Sequence, residues 1–147
     1  MDELDKKLVA ALQGDAGQSY AALAGTVGLS AAATHDRVRK LRESGLIRRT
    51  TIEVDPAALG RGVLAYVLVE SGSWMGDEPT KDAVAAITQV EEAHVIAGPA
   101  TLLLKVRTGA TEELQAVLRA LHGIEGVKGT QTIVVLESFF ERPTQVS

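Results

Sequence analysis

Cysteine is absent from this 147-residue chain, which excludes disulfides, thiolate nucleophiles and thiolate metal sites, and fits a reducing compartment. Aromatic residues are scarce, with two Phe, two Tyr and one Trp, so any core must be assembled from Leu, Val, Ile and Ala. No apolar run approaches the roughly 18 residues that a membrane-spanning helix needs. The first residues, MDELDKK, are charged and carry no apolar segment of the kind a secretory signal requires, so a cytoplasmic protein with no membrane partner is expected. Catalytic and cofactor signatures are missing too. There is no phosphate-binding glycine loop, no dinucleotide fingerprint and no nucleophile elbow. His35, His94 and His122 lie far apart, without metal-ligand spacing. No metal, no cofactor and no enzyme activity are expected.

What is present is a compact pattern between Ser19 and Ile47, SYAALAGTVGLSAAATHDRVRKLRESGLI. Ser19 is placed to cap a short helix from Tyr20 to about Thr26, because its side-chain oxygen can accept one of the orphan N–H groups of the first turn. Gly28 permits a turn that a side chain would resist. Ser30 caps a second helix that begins with three alanines and places Thr34, Val38 and Leu41 on one buried line. Gly45 ends it. Two helices around a tight turn are the sequence shape of a helix-turn-helix DNA reader. Between Ser30 and Thr51 six cations (Arg37, Arg39, Lys40, Arg42, Arg48 and Arg49) face two acids, Asp36 and Glu43, whereas the whole chain has a net charge of −4. A basic block on an acidic protein is the electrostatic footprint of a polyanion site.

Taken in order, Asp2 to Gln13 is an amphipathic helix with Leu4, Leu8, Ala11 and Leu12 on one face, a buttress for the two that follow. Leu46 to Val54 is rich in β-branched residues and predicts a strand, a wing beside the helices. Asp55 to Gly60 reads as a hinge. A strand is expected over 62–70 and apolar on both faces, hence central. A loop with Trp74 and Met75, a helix from Asp77 to Glu91, and strands over 93–97 and 101–107 follow. A helix over Thr111–His122 and a last strand from Gly126 through Leu136 complete the chain. The fold class is therefore α+β: a winged helix-turn-helix head over 1–54, a hinge over 55–61, and a ferredoxin-like βαββαβ domain over 62–147. The sheet face away from the helices would expose apolar side chains, which predicts at least a homodimer.

These segments together resemble the Lrp/AsnC (leucine-responsive, asparagine-responsive, or feast–famine) transcription regulators. The resemblance rests on ELDKKLVAAL, SYAALAGTVGLS and RVRKLRESGLIRR in the head, EVDPAALG at the hinge, and HVIAGPATLLLKV with GVKGTQTIVVL in the second half. It implies double-stranded DNA as partner and dimers formed through the second domain, assembled into tetramers or octamers. It also implies a small effector, such as an amino acid, bound between dimers. By that resemblance the effector-binding positions are Gly98, Pro99, Ala100, Thr101, Thr130 and Thr132. The family's usual loop reads Gly-Asp-x-Asp where this chain has Gly98-Pro99-Ala100-Thr101, so both carboxylates that would meet an α-ammonium group are gone. An architectural DNA-binding protein without an effector is accordingly the alternative.

For DNA, the exposed face of the second helix offers Ala31, Ala32, His35 and Arg39 to base edges, with Arg39 suited to guanine and Asp36 either to cytosine N4 or to an intrahelical pair with Lys40. Arg37, Lys40, Arg42, Arg48 and Arg49 are expected at phosphates, assisted by Ser19 and Ser30, and Arg37 has a possible second role within the head.

Overall fold

The computed structural model describes residues 1–146. The chain forms two compact units, one holding Met1–Glu53 together with residues 140–146, the other Val54–Phe139.

In the first unit, α1 (Glu3–Gly14), α2 (Tyr20–Val27) and α3 (Ala31–Glu43) pack around Leu8, Leu23, Val27 and Val38. Leu4, Ala11, Leu12, Leu29 and Ile47 close the edges of that core. Each helix start follows from a side-chain oxygen. The Asp5 N–H donates to Asp2 at 2.8 Å, and the Asp2 N–H donates back to Asp5 at 3.0 Å, a reciprocal capping box on α1. The Ala22 N–H donates to Ser19 Oγ at 3.1 Å and the Ala33 N–H to Ser30 Oγ at 3.2 Å. The helix ends follow from glycine. Gly28 and Gly45 have φ of 71° and 80°, the left-handed region that glycine enters without steric cost. At the end of α3 the Ile47 N–H reaches back to the Leu41 carbonyl at 3.1 Å, which turns the chain sharply away. Within the same unit, Gln13 Nε2 donates to the Thr144 carbonyl at 2.8 Å, which ties the chain at Thr144 to α1.

The strand expected over 46–54 does not form. The segment has no ladder, and Ile52 and Val54 are 81% and 50% exposed. Its β-branched residues favour a pleated, half-buried surface, but the head supplies no strand for them to pair with.

The second unit is a four-stranded antiparallel sheet in the order β2-β3-β1-β4, formed by β1 (Val63–Ser71), β2 (Val90–Val95), β3 (Leu102–Thr108) and β4 (Val127–Val134). Helices α4 (Glu78–Ala85) and α5 (Thr111–His122) complete the βαββαβ order. Ala65, Val67 and Val69 of β1 join Leu102, Leu104 and Val106 of β3 on one sheet face. Val84 of α4 and Leu114, Val117 and Leu121 of α5 pack on that face, with Met75 from the preceding loop.

Several boundaries differ from expectation, with β2 at Val90–Val95 instead of 93–97. Helix α4 stops at Ala85 instead of reaching Glu91, and its buried residues are Thr80 and Val84. Val90 belongs to β2, where it stands opposite Val106. An apolar spacing that suits a helix edge is taken over here by ladder pairing to β3, and the bulge at Glu91 shows where the strand enters that register. The β4 ladder ends at Val134, and a single further bond, Val135 N–H to the Leu64 carbonyl at 2.9 Å, carries it one residue on.

Leu8 is fully buried at the centre of the head. Leu8→Ala is expected to cost the head about 3 kcal/mol. Amide hydrogen exchange should then show lost protection across α1 to α3 while β1 and β3 keep theirs.

Candidate nucleic-acid interface

Burial decides which face of α3 is available. Thr34, Val38 and Leu41 are buried, and the Thr34 hydroxyl is satisfied by the Ser30 carbonyl at 2.9 Å. With 3.6 residues per turn, the line opposite contains Ala32, Asp36, Arg39 and Glu43, flanked by Ala31 and His35 on one side and Lys40 on the other. Ala31, Ala32, His35, Arg39 and Lys40 are exposed. The small residues at the start of α3 leave its first turn narrow. The His35 ring stands edge-on to Tyr20 with centroids 4.7 Å apart, which holds it against α2.

The cations divide into two groups. Arg37 is committed inside the head: Nη1 donates to Asp2 and to Asp5, each at 2.8 Å, tying the α1 capping box to α3. Arg39 is held from both sides, by Asp36 at 2.5 Å and by Glu43 at 2.7 Å. Lys40 takes the other oxygen of Asp36 at 2.9 Å, the intrahelical pair that the i, i+4 spacing suggested. Arg42, Arg48 and Arg49 are exposed, and among the described residues no ion pair engages them. Ser19 and Ser30 both spend a side-chain oxygen on a helix start, which leaves the hydroxyl hydrogens free to donate outward.

These contacts set the acid behaviour of the head. Hydrogen bonds from Arg39 and then Lys40 hold the Asp36 carboxyl down at about 2. The backbone N–H of Asp5, followed by Arg37, lowers Asp2 below its ordinary value.

In the second unit, Gly98, Pro99 and Ala100 form the β2–β3 connection, closed by the Ile96 N–H donating to the Thr101 carbonyl at 3.0 Å. The Thr101 N–H donates to the Val69 carbonyl at 2.9 Å, and Thr130 stands opposite Val69 across the other edge of β1. Thr132 stands opposite Val67. One row of the sheet thus brings Thr101 and Thr130 to either side of a single β1 residue, while Gly98 to Ala100 project beyond it. His122 joins this row through space. Its Nε2 lies 3.2 Å from the Thr130 hydroxyl. Its signal in the sequence was only its place at the end of α5, shortly before a turn back into the strand. A separate groove of about 400 Å³ runs between α4 and β2 over Met75, Val84, Val95 and Leu102, and none of the six positions lines it. Among the described residues no group of three His, Asp or Glu is arranged to hold a metal ion. No helix among the described residues is long and apolar enough to cross a membrane.

Comparison with known proteins agrees with both units. Residues 1–42 match the AsnC-type helix-turn-helix domain, and residues 64–145 match the Lrp/AsnC ligand-binding domain. The HTH-type transcriptional regulator FL11 of Pyrococcus horikoshii is 36% identical over 141 residues, covering 96% of this chain and 93% of its own. The solved structure of E. coli AsnC is 30% identical with a TM-score of 0.83, covering 99% of this chain and 98% of that one. A feast or famine regulatory protein of M. tuberculosis, solved in complex with L-methionine, is 25% identical with a TM-score of 0.91 and 99% coverage of both chains. The chain belongs to the Lrp/AsnC family of transcription regulators.

A group with a depressed pKa adds stability that is complete above its unfolded value and is lost as pH falls through the folded one. Arg37→Met is therefore expected to weaken the head at neutral pH. The gap from wild type, read by urea denaturation and far-UV circular dichroism, should narrow as pH falls below about 4.

Proposed function

We propose that this regulator reads operator DNA with α3 and senses a small molecule through the β2–β3 connection and β4 of its second domain. The observation that carries the reading is the division of surface on α3: the line opposite Thr34, Val38 and Leu41 is left outward, and at its end follow Arg42, Arg48 and Arg49, which no carboxylate among the described residues engages. Ala31, Ala32, His35 and Arg39 meet base edges. Arg42, Arg48 and Arg49 meet phosphates, with Lys40 joining them when it leaves Asp36. Arg37, by its bonds to Asp2 and Asp5, serves mainly to brace the helix.

The working unit is a homodimer, joined through the sheet face that α4 and α5 leave uncovered. Tyr66 and Leu68 of β1, Leu103 of β3 and Ile133 of β4 lie outside the helix-side core, with Leu68 opposite Leu103 and Tyr66 opposite Ile133. Two-fold symmetry then sets paired α3 helices on half-sites about one helical turn, or a multiple, apart. Higher assembly to tetramers or octamers brings Gly98–Thr101, Thr130 and Thr132 of neighbouring dimers together around the effector. A relative solved with L-methionine supports an amino acid as the ligand class. A ligand acts by favouring one assembly over another.

The second reading, a ligand-independent architectural protein, is favoured by one observation, the loss of both loop carboxylates in Gly98-Pro99-Ala100-Thr101. Titration of the full chain on DNA upstream of its own gene, at two salt concentrations and against a panel of amino acids, separates the two. Binding that one amino acid shifts is expected; binding that none shifts selects the architectural reading.

Two variants test the parts. Arg48→Ala should reduce the slope of log affinity against log salt by about 1, without changing sequence preference. Ile133→Asp, placing charge on an apolar contact face, should give monomers in sedimentation velocity at concentrations where wild type is dimeric.

A further inference from the structure

The outward line of α3 poses a problem of its own. A helix that enters the major groove of a polyanion carries two carboxylates, Asp36 and Glu43, along the middle of its leading face. Both are bound to Arg39, one turn apart on either side of it, at 2.5 and 2.7 Å. Lys40 closes the set on Asp36 at 2.9 Å. The four charges sum to zero. Of the two other cations of α3, Arg37 is spent on Asp2 and Asp5, while Arg42 lies at the end of the helix, off the line of Asp36 and Arg39. General attraction to phosphate is therefore displaced to Arg42, Arg48 and Arg49, at the end of the helix and beyond it. The leading face itself has no net charge to offer DNA of arbitrary sequence.

The pairing leaves recognition capacity in place. A guanidinium has five N–H donors, and two are used here, so Arg39 keeps donors for guanine O6 and N7. Held between residues three before and four after it, the group is fixed along the helix axis instead of sweeping a cone of rotamers. Each oxygen of Asp36 accepts one bond and retains a lone pair for a cytosine N4 amino group. A base pair or step that presents both partners satisfies the set. Any other sequence leaves carboxylates facing acceptors or phosphates, a like-charge contact that costs affinity.

Building on the assignment of α3 as the reading helix, we infer that Asp36 is a positioning and discriminating residue: it holds Arg39 as a pre-aimed, charge-compensated base reader and penalises DNA that lacks the matching bases. Its main action is against the wrong sequences. Simple stabilisation of α3 by surface ion pairs would have a different signature, because a weakened helix loses affinity for all DNA together.

The test uses the full chain. Selection from a randomised duplex library with wild-type protein yields a preferred duplex, and wild type, Asp36→Asn and Asp36→Glu are then titrated on that duplex and on random-sequence duplex at two salt concentrations. Asp36→Asn removes one negative charge and should bind random duplex roughly three- to tenfold more tightly at low salt. The ratio of preferred to random affinity should fall by about tenfold, with lost preference confined to one or two base pairs per half-site. Asp36→Glu, which restores a carboxylate, should retain most of the ratio. An unchanged ratio in Asp36→Asn, or equal losses on both duplexes, overturns the inference while leaving α3 as the reader. Failure of wild type to select any duplex overturns the reading helix itself, and the inference with it.

Discussion

Burial of one line of α3 is the constraint from which the head's function follows. Thr34, Val38 and Leu41 go inward, with Val38 packed among Leu8, Leu23 and Val27. No rotation of α3 about its axis preserves that burial and also hides Asp36, Arg39 or Glu43. The helix is thereby oriented before any DNA is present. Arg37, on the flank that faces α1, locks the rotation through two carboxylates that already cap the first helix. One arginine thus couples a local feature, the start of α1, to the presentation of a surface some thirty-five residues later in the chain.

An equivalent role in the second unit belongs to β1, an inner strand whose Val69 lies between Thr101 and Thr130. Its inner residues Ala65, Val67 and Val69 are all fully buried, so a slip of one residue would send them to the other face. Fixing β1 fixes β3 and β4. It is this register, and not any local motif, that assembles residues some thirty positions apart into one candidate effector row and adds His122 to it. The same alternation places Tyr66, Leu68, Leu103 and Ile133 on the opposite face, away from the helices.

Charge in this molecule is arranged more by cancellation than by accumulation. The basic block of the head has a surplus of four in the sequence, yet in the fold Arg37, Arg39 and Lys40 are all matched by carboxylates. With Arg37 matched by acids at the start of α1, what remains of the surplus is carried by Arg42, Arg48 and Arg49. Under the proposed assignment, phosphate attraction and base reading fall to different residues, which would let affinity and discrimination be tuned apart.

Much of this was legible in the amino-acid order alone. Ser19, Ser30, Gly28 and Gly45 determined where the helices of the head begin and end, because capping and left-handed turns are decided within four or five residues. The 3.6-residue spacing of Thr34, Val38 and Leu41 determined the buried line of α3, and the strand–helix alternation determined the βαββαβ order. Tertiary structure decided the rest. Leu46 to Val54 has strand propensity but no partner, so it stays without a ladder. Val90 has helical spacing but is drawn into β2 by β3. The partners of Arg37 lie in another helix, and those of Thr130 in another element, so no local pattern could announce them. Capping and periodicity act over one or two turns of chain and can be read from neighbours, whereas ladder pairing and long-range ion pairs depend on which surfaces folding brings together.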